Sequence, residues 1–508
     1  MSEQKLSDGE RERLRGMVRE LLEEAEAVLD AVPVEEQPHH TEEVVAVCYA
    51  RLGDFAAARR LVDRWTDQCD RADILVPISK CQRVLSNQSV ALTTIHDAAE
   101  AAKLGEDVDS RIGQLAEIAR LLNEWGETSR SRSVLTEATR IATAAADPCA
   151  RRPMTSVDEL IDGYIQLSDW SMAESVAEDL LREFPDYRSS PIRGIAAGLA
   201  KAGEIDEAIR LAQSIPELLT RTHAMHAIAD AKTADQTAIE ILRECFGAYQ
   251  QEEDHECRAL KLKSLATSMS ARSLRDDAVR SLISARESVL LMSSYYYRTL
   301  HLAGLASDFI DLGHLEDARD TLRIAEEVAA ASPHKNAKSY QCIAIAKQYI
   351  KLGDKAKARS LIEAAEQFAW VQEVDHEMPW LPCEVVDDIS TLGFIEIARS
   401  ITEYLTGERR IYALLTIADS LCELEGNRTG LSDLSEAVEQ NSLLDDAEQQ
   451  AENERWISVA FLKRDDLDTA IRFARNIDKR FVIPSVMAFV DIASNLLDRL
   501  GAPDPDED

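Results

Sequence analysis

His223 and His226, in the stretch RTHAMHAIAD, stand one helical turn apart and are a pair that could share a metal ion. Zinc takes three or four ligands, and no Cys or His stands at motif spacing to complete the set, so two histidines lining a helix face are expected instead. Cys245, His255 and Cys257, in CFGAYQQEEDHEC, form a looser trio with acids between them. A chance grouping across a helix boundary is the expectation there. The chain has no G-x-G-x-x-G, no phosphate loop, no G-x-S-x-G and no H-E-x-x-H. Carboxylates are so plentiful that a pair of them marks nothing. The expectation is therefore a protein that is not an enzyme, with no cofactor, no metal and no small-molecule substrate implied; a metal-dependent enzyme ranks third among the readings.

Other residues suggest contact rather than catalysis. Tyr295, Tyr296 and Tyr297 are consecutive, and three rings in a row cannot all face one side of a helix. At least one is expected to be exposed, although packing between helices is the commoner use of such rings. Trp380 lies among prolines in VDHEMPWLPCE, where a plug over a neighbouring hairpin is favoured over a recognition loop.

The totals narrow the class. A chain of 508 residues is too long for one compact core, so several domains or a repeat array must be present. With 57 Lys+Arg against 92 Asp+Glu the formal net charge is −35, a surface that repels phosphate backbones and anionic lipid. No nucleic acid and no membrane are expected as partners. The nine cysteines are scattered, odd in number and without a C-x-x-C pair, which fits a reducing compartment. The opening residues MSEQKLSDGERERLRGMVRE contain no apolar run of a secretory signal, and no stretch of 18 apolar residues occurs. A cytoplasmic location is the expectation.

The elements that would position these residues are written as a repeat. A small residue is followed seven positions later by Gly and five after that by Ala: Ala46, Gly53, Ala58; Ala196, Gly203, Ala208; Ala306, Gly313, Ala318; Ala346, Gly353, Ala358. Val386, Gly393 and Ala398 add a copy. Looser ones read Ala119, Gly126, Ser131; Ile161, Ser168, Ala173; and Ala266, Ser273, Ala278. Degraded ones centre on Ala91, Ala238, Leu431 and Ala470, for about twelve units. Apolar residues recur at helical spacing on both sides of the Gly, as in Ile343, Ala346, Ile350 and then Ala358, Leu361, Ile362, Ala365. Gly ends one helix in the left-handed conformation; Asp54 and Asp354 suit the cap of the next, whereas His314 and Phe394 do not. Each unit reads as an αα-hairpin that must stack on its neighbours to hide its apolar stripes.

KAGEIDEAIRLA, RLGDFAAARRLV and KLGDKAKARSLI resemble tetratricopeptide repeats, with a step nearer 40 than 34 residues and without the early Trp or most of the closing Pro. The resemblance covers most of residues 40–501 and implies an all-α, right-handed α-solenoid over 39–501. Residues 1–38 are expected to supply a capping helix (Leu14, Met17, Val18, Leu21, Leu22, Val28, Leu29), SVMAFVDIASNLLDRLG to close the other end, and 502–508 to form a disordered acidic tail. Long turns are expected at 146–156, 183–191 and 374–384 because each holds Pro, and Glu425–Asp445 is expected to loosen the array.

Two groups of charged residues follow from this frame. A basic residue stands eight positions before the small one in eight units: Arg71, Arg111, Arg188, Arg221, Arg258, Arg298, Lys338 and Arg410. A cation at a helix N-terminus opposes the macrodipole by ~0.3–1 kcal/mol, so the carbonyls and acids at the end of the preceding helix are expected to hold it. The other reading is a row of guanidinium groups for acidic ligands. The resemblance also implies an inner groove lined by first helices, which places Arg193, Lys201, Lys263, Lys347 and Lys351 inward with Ser307 and Asp311 between them. A partly basic groove would draw an acidic peptide or a C-terminal carboxylate. The function expected is a scaffold or adaptor that binds a protein or peptide partner on the concave face. RNA binding, as in the similar pentatricopeptide arrays, is the alternative that the net charge disfavours.

Overall fold

The computed structural model describes residues 6–32, 39–65, 67–144, 154–180, 185–231, 236–333, 335–369, 381–426 and 429–505. These form 26 helices and no strand. In chain order they are α1 (Asp8–Asp30), α2 (His39–Leu52), α3 (Phe55–Val62), α4 (Gln68–Leu85) and α5 (Gln88–Leu104), followed by α6 (Val108–Glu124), α7 (Thr128–Ala144), α8 (Met154–Gln166), α9 (Trp170–Leu180) and α10 (Pro185–Ala202). Next come α11 (Ile205–Gln213), α12 (Leu218–Ala231), α13 (Gln236–Tyr249), α14 (His255–Ala271), α15 (Arg275–Leu290), α16 (Tyr295–Asp311), α17 (Leu315–Ala331), α18 (Lys335–Lys351) and α19 (Lys355–Ala369). The last are α20 (Leu381–Thr391), α21 (Ile395–Thr402), α22 (Glu408–Glu425), α23 (Leu431–Ser442), α24 (Ala447–Lys463), α25 (Leu467–Asn476) and α26 (Val482–Leu500). Each even-numbered helix from α2 to α24 packs on the odd-numbered helix after it, which makes twelve hairpins among the described residues, and within each unit first helices pack on one another, as α2 on α4, α6 on α8, α8 on α10, α10 on α12, α16 on α18, α20 on α22 and α22 on α24. The architecture is an all-α helical-hairpin solenoid. It divides into two compact units, residues 1–106 with 374–508, and residues 107–373.

The Gly–Ala skeleton builds every clear hairpin in the same way. At Gly353, φ is +81°, its N–H donates to the Ile350 carbonyl at 2.9 Å, and the next N–H, of Asp354, donates to the Tyr349 carbonyl at 2.8 Å. This Schellman pair recurs at Gly53, Gly126, Gly203, Gly313 and Gly393. It also recurs where the skeleton lacks Gly: Ser168, Ser273 and Asp465 have φ of 54°, 61° and 59° and make the same two bonds. Asp54 and Asp354 then cap the second helix through Ala57 and Lys357 N–H, while His314 and Phe394 make no side-chain cap. The small residues meet across the hairpin: Ser131 Oγ donates to the Ala119 carbonyl at 2.6 Å, and Ser458 Oγ to the Ala470 carbonyl at 3.0 Å. Ala58, Ala208, Ala278, Ala318, Ala358 and Ala398 are fully buried.

Several expectations are corrected. The eleventh unit centres on Gly430, not Leu431: Leu431 is exposed, and a Cβ on Gly430 would lie 2.8 Å from Ala418 backbone, so the small position has shrunk to hydrogen. Glu425–Asp445 does not loosen the array, since α23 folds there with Leu434 and Ala437 buried against the neighbouring helices. Of the three proline stretches, Pro185 opens α10 and Pro382 falls in the first turn of α20, where the missing N–H would have no intrahelical partner anyway. Most of 146–156, Trp380, Cys149 and the Arg188 side chain lie outside the described residues.

The expected end caps are also corrected. Helix α1 packs on α26, and α26 packs in turn on α24, as α24 packs on α22 and α22 on α20. Arg475 of α25 donates to Glu20 and Glu24 of α1, and Arg60 of α3 reaches Glu26 of α1 at 2.8 Å. Tyr49 donates to Glu26, 23 positions earlier, as Tyr349 donates to Glu326, also 23 positions earlier, from the second helix before it. The two chain ends thus form a thirteenth hairpin, α26 with α1. Two leftover apolar stripes bury more surface against each other than either hides as a wet cap. The tail follows: Arg51 is buried and donates to Ser494 Oγ, Asp498 and the Pro503 carbonyl, and Lys80 donates to the Pro505 carbonyl. Residues 502–505 are therefore docked, and 506–508 lie outside the described residues.

Candidate functional site

Of the two histidines, His226 is held on both sides, while His223 Nε2 is buried without a hydrogen-bond partner. The small position of this unit is the fully buried Ala229, eight residues after Arg221, and His226 is a further buried residue of α12. Its Nδ1 lies 3.2 Å from Tyr249 Oη and its Nε2 2.9 Å from Ser268 Oγ, so both nitrogens are engaged. Burial pushes the His226 pKa down, and burial together with Lys261 and Arg193 holds His223 at about 4. The Cys–His trio is dispersed as well. Cys245 is buried with its Sγ toward the Thr222 carbonyl and its thiol pushed up to about 12, while His255 Nδ1 faces Arg258 at 2.7 Å. No group of three or more His, Cys, Asp or Glu among the described residues could hold a metal.

Four of the eight recurring cations staple one hairpin to the next through backbone carbonyls. Arg221 donates to the Ile215 carbonyl at 2.9 Å, Arg258 to the Glu252 carbonyl at 3.2 Å, Arg298 to the Met292 carbonyl and Lys338 to the Ala330 carbonyl at 3.0 Å. In each case the cation of a first helix closes the end of the second helix before it. Arg71 and Arg410 instead take carboxylates, Asp63 and Glu436. Second helices are tied together by ion pairs of their own, Arg243 to Asp277 at 2.9 Å and Arg399 to Asp433 at 2.8 Å, each spanning 34 residues. Tyr295 and Tyr297 are exposed, and the Arg298 guanidinium sits 5.2 Å from the Tyr295 ring centroid.

The residues expected to line a partner groove are only partly assembled. Lys351 of α18 donates to Ser307 Oγ at 2.8 Å and pairs with Asp311 at 2.6 Å, both on α16. Lys263 of α14 lies 3.5 Å from Asp308, whose carboxyl is pushed up by burial more than the Lys263 charge lowers it. Lys347 is half-buried on α18, and Arg193 and Lys201 are exposed on α10, two hairpins before α14. All of these residues lie on first helices. Lys263 and Lys351, however, meet carboxylates of α16, the first helix that neighbours both of theirs, so this part is a cross-linked surface more than a basic one.

Sequence reasoning missed a different place. Between the first helices α20, α22 and α24 lies a groove of about 630 Å³. Tyr412 of α22 and Trp456 of α24 line it with 49% and 47% of their surfaces exposed. Ile411 and Ile457, their chain neighbours, point into the core and hold the two helices in place. The rings stand 44 residues apart, the same offset that separates Asp419 from Lys463, which pair at 2.6 Å at the end of the groove. Glu384, Glu408 and Glu452 also line it. Burial pushes up the Tyr412 pKa, and Asp387 adds to the effect. The Arg455 guanidinium lies 4.6 Å from the Trp456 ring centroid and pairs with Asp491 at 2.8 Å. Adjacency gives no signal for either ring, since neighbours along these helices can both be buried, as Ala413 and Leu414 are.

No family model matches this chain, and no curated protein matches it. Solved structures that align with it include the human IFIT1 dimer with m7Gppp-AAAA, at 11% identity over 80% of this chain and 89% of that one, with a TM-score of 0.28. The apo form of the quorum sensor NprR from B. thuringiensis aligns at 12% identity over 83% of this chain and 97% of that one, TM-score 0.26. Yeast Tom70 aligns at 13% identity over 76% and 96%, TM-score 0.21. Likenesses this distant assign no function.

Proposed function

We propose that this chain is a non-enzymatic, cytoplasmic scaffold or adaptor that binds a peptide or protein partner on the first-helix face of its hairpins. The observation that carries the reading is the pair of half-exposed rings, Tyr412 and Trp456, lining one groove of that face. Large rings at the centre of a partly enclosed site are the usual anchors of protein contacts, and a surface already folded orders little on binding. Among the described residues no helix is long and apolar enough to cross a membrane. RNA is disfavoured, because Glu384, Glu408, Asp419 and Glu452 would face its phosphates while Lys463 is tied to Asp419.

Panning a displayed random-peptide library against the full chain tests the proposal. Selected peptides are expected to lose about tenfold or more in affinity for a Tyr412→Ala/Trp456→Ala variant with unchanged circular dichroism. Selection of no peptide, or of peptides indifferent to both substitutions, would contradict it, as would retention of labelled RNA at low salt.

A further inference from the structure

The groove between α20, α22 and α24 also states the chemistry of what it takes, on the reading that a peptide binds there. Its lining holds four carboxylates, Glu384, Glu408, Asp419 and Glu452, and one ammonium, Lys463. Asp419 is spoken for by Lys463 and Arg464. Glu408 makes no ion pair among the described residues, and Glu452 has only Arg455 at 3.5 Å. Glu408 is thus the carboxylate of the rim left for an incoming charge, beside walls of Tyr412, Leu415, Trp456 and Val459. An acidic peptide would bring like charge to this rim. A purely apolar one would bury Glu408 without a partner, which costs free energy. A side chain with a long aliphatic stem and a cationic head satisfies both parts at once, stem on the rings and head among the carboxylates. Trp456 already accepts one guanidinium, that of Arg455.

We propose that this groove binds a basic peptide segment, with an arginine or lysine side chain laid over Tyr412 and Trp456 and its charge set between Glu408 and Glu452. This reverses the acidic ligand expected from the lysines of α14 and α18, whose charges Asp308 and Asp311 meet. The specificity is local. A chain of net charge −35 attracts any polycation weakly, so the site is distinguished by dependence on its own residues and not by attraction alone.

The test uses the full chain and short, amidated, fluorescein-labelled peptides repeating Arg-Leu-Gly, Gln-Leu-Gly or Glu-Leu-Gly, read by fluorescence anisotropy in about 0.15 M salt, where the Debye length is about 8 Å. One variant is Glu384→Gln/Glu408→Gln/Glu452→Gln. A second removes the same charge from positions on or directly after second helices, Glu396→Gln/Glu403→Gln/Glu439→Gln, and a third is Trp456→Ala. All are checked by circular dichroism and melting temperature. The Arg peptide is expected to bind about tenfold or more tighter than the Glu peptide, to weaken about tenfold on the groove triple and on Trp456→Ala, and to change less than about twofold on the control triple. Equal losses on both triples mean generic attraction and overturn the proposal. Equal, Trp456-dependent binding of the Arg and Gln peptides overturns the cation but leaves the groove as a peptide site. Binding of any peptide that ignores Trp456 overturns both. Sedimentation velocity covers the remaining occupant: a dimer that dissolves on Trp456→Ala places a second copy of the chain in the groove and overturns the peptide.

Discussion

Left-handed backbone is where single residues carry the repeat. Gly313 and Ser273 occupy the same turn with φ of 78° and 61° and the same pair of hydrogen bonds, yet only one has a Cβ to strain. Gly313→Ala should cost about 1–2 kcal/mol, and Ser273→Gly should recover about 0.5–1 kcal/mol, seen as opposite shifts of melting temperature in calorimetry. A second prediction concerns His223, held at about 4 in the folded chain, below the ordinary 6.5. The unfolded chain then binds more protons between those values, so this group's contribution to stability is complete above pH 6.5 and is lost as pH falls toward 4. His223→Gln should narrow the difference in melting temperature between pH 7.5 and pH 5, with little change at pH 7.5; an unchanged difference would remove His223 from the account. Because the skeleton is local, these positions were legible in the sequence, even at Ser168 and Ser273. The groove was not, because Tyr412 and Trp456 are 44 residues apart and lie where the repeat is most degraded.

Pairs of helices hold together through small residues inside and staples outside. The staple from Arg298 to the Met292 carbonyl and that from Lys338 to the Ala330 carbonyl close the C-terminal ends of α15 and α17. Arg298→Gln and Lys338→Gln should each cost stability, up to the ~1.5–3 kcal/mol of a hydrogen bond to a charged group and less for Lys338, which is more exposed, and so lower the melting temperature. An unchanged melting temperature would return these cations to the role of a ligand ladder. Their recurrence eight positions before the small residue could be read directly, because the bond spans only six residues for Arg298 and eight for Lys338. The lysines of the first-helix face were harder: Lys351 meets Asp311 from the neighbouring hairpin, and register between hairpins is not written in either one alone.

In the whole chain the least legible feature is the pairing of its ends, since Arg475 and Glu24 stand 451 residues apart and no repeat signal connects them. Apolar stripes on α1 and α26 were visible, but their meeting was not. Arg51→Ala should destabilise the unit containing both ends by about 2–3 kcal/mol, because three polar groups of α26 and the tail lose a buried cation. A second transition appearing below the main one in calorimetry would record it. The functional claim rests on one face of this array, and hydrogen exchange of the full chain with and without a library-selected peptide tests it most directly. Binding should slow exchange in α22 and α24 and leave α14, α16 and α18 as they were. Protection confined to α14–α18, or to the second helices, would contradict the account.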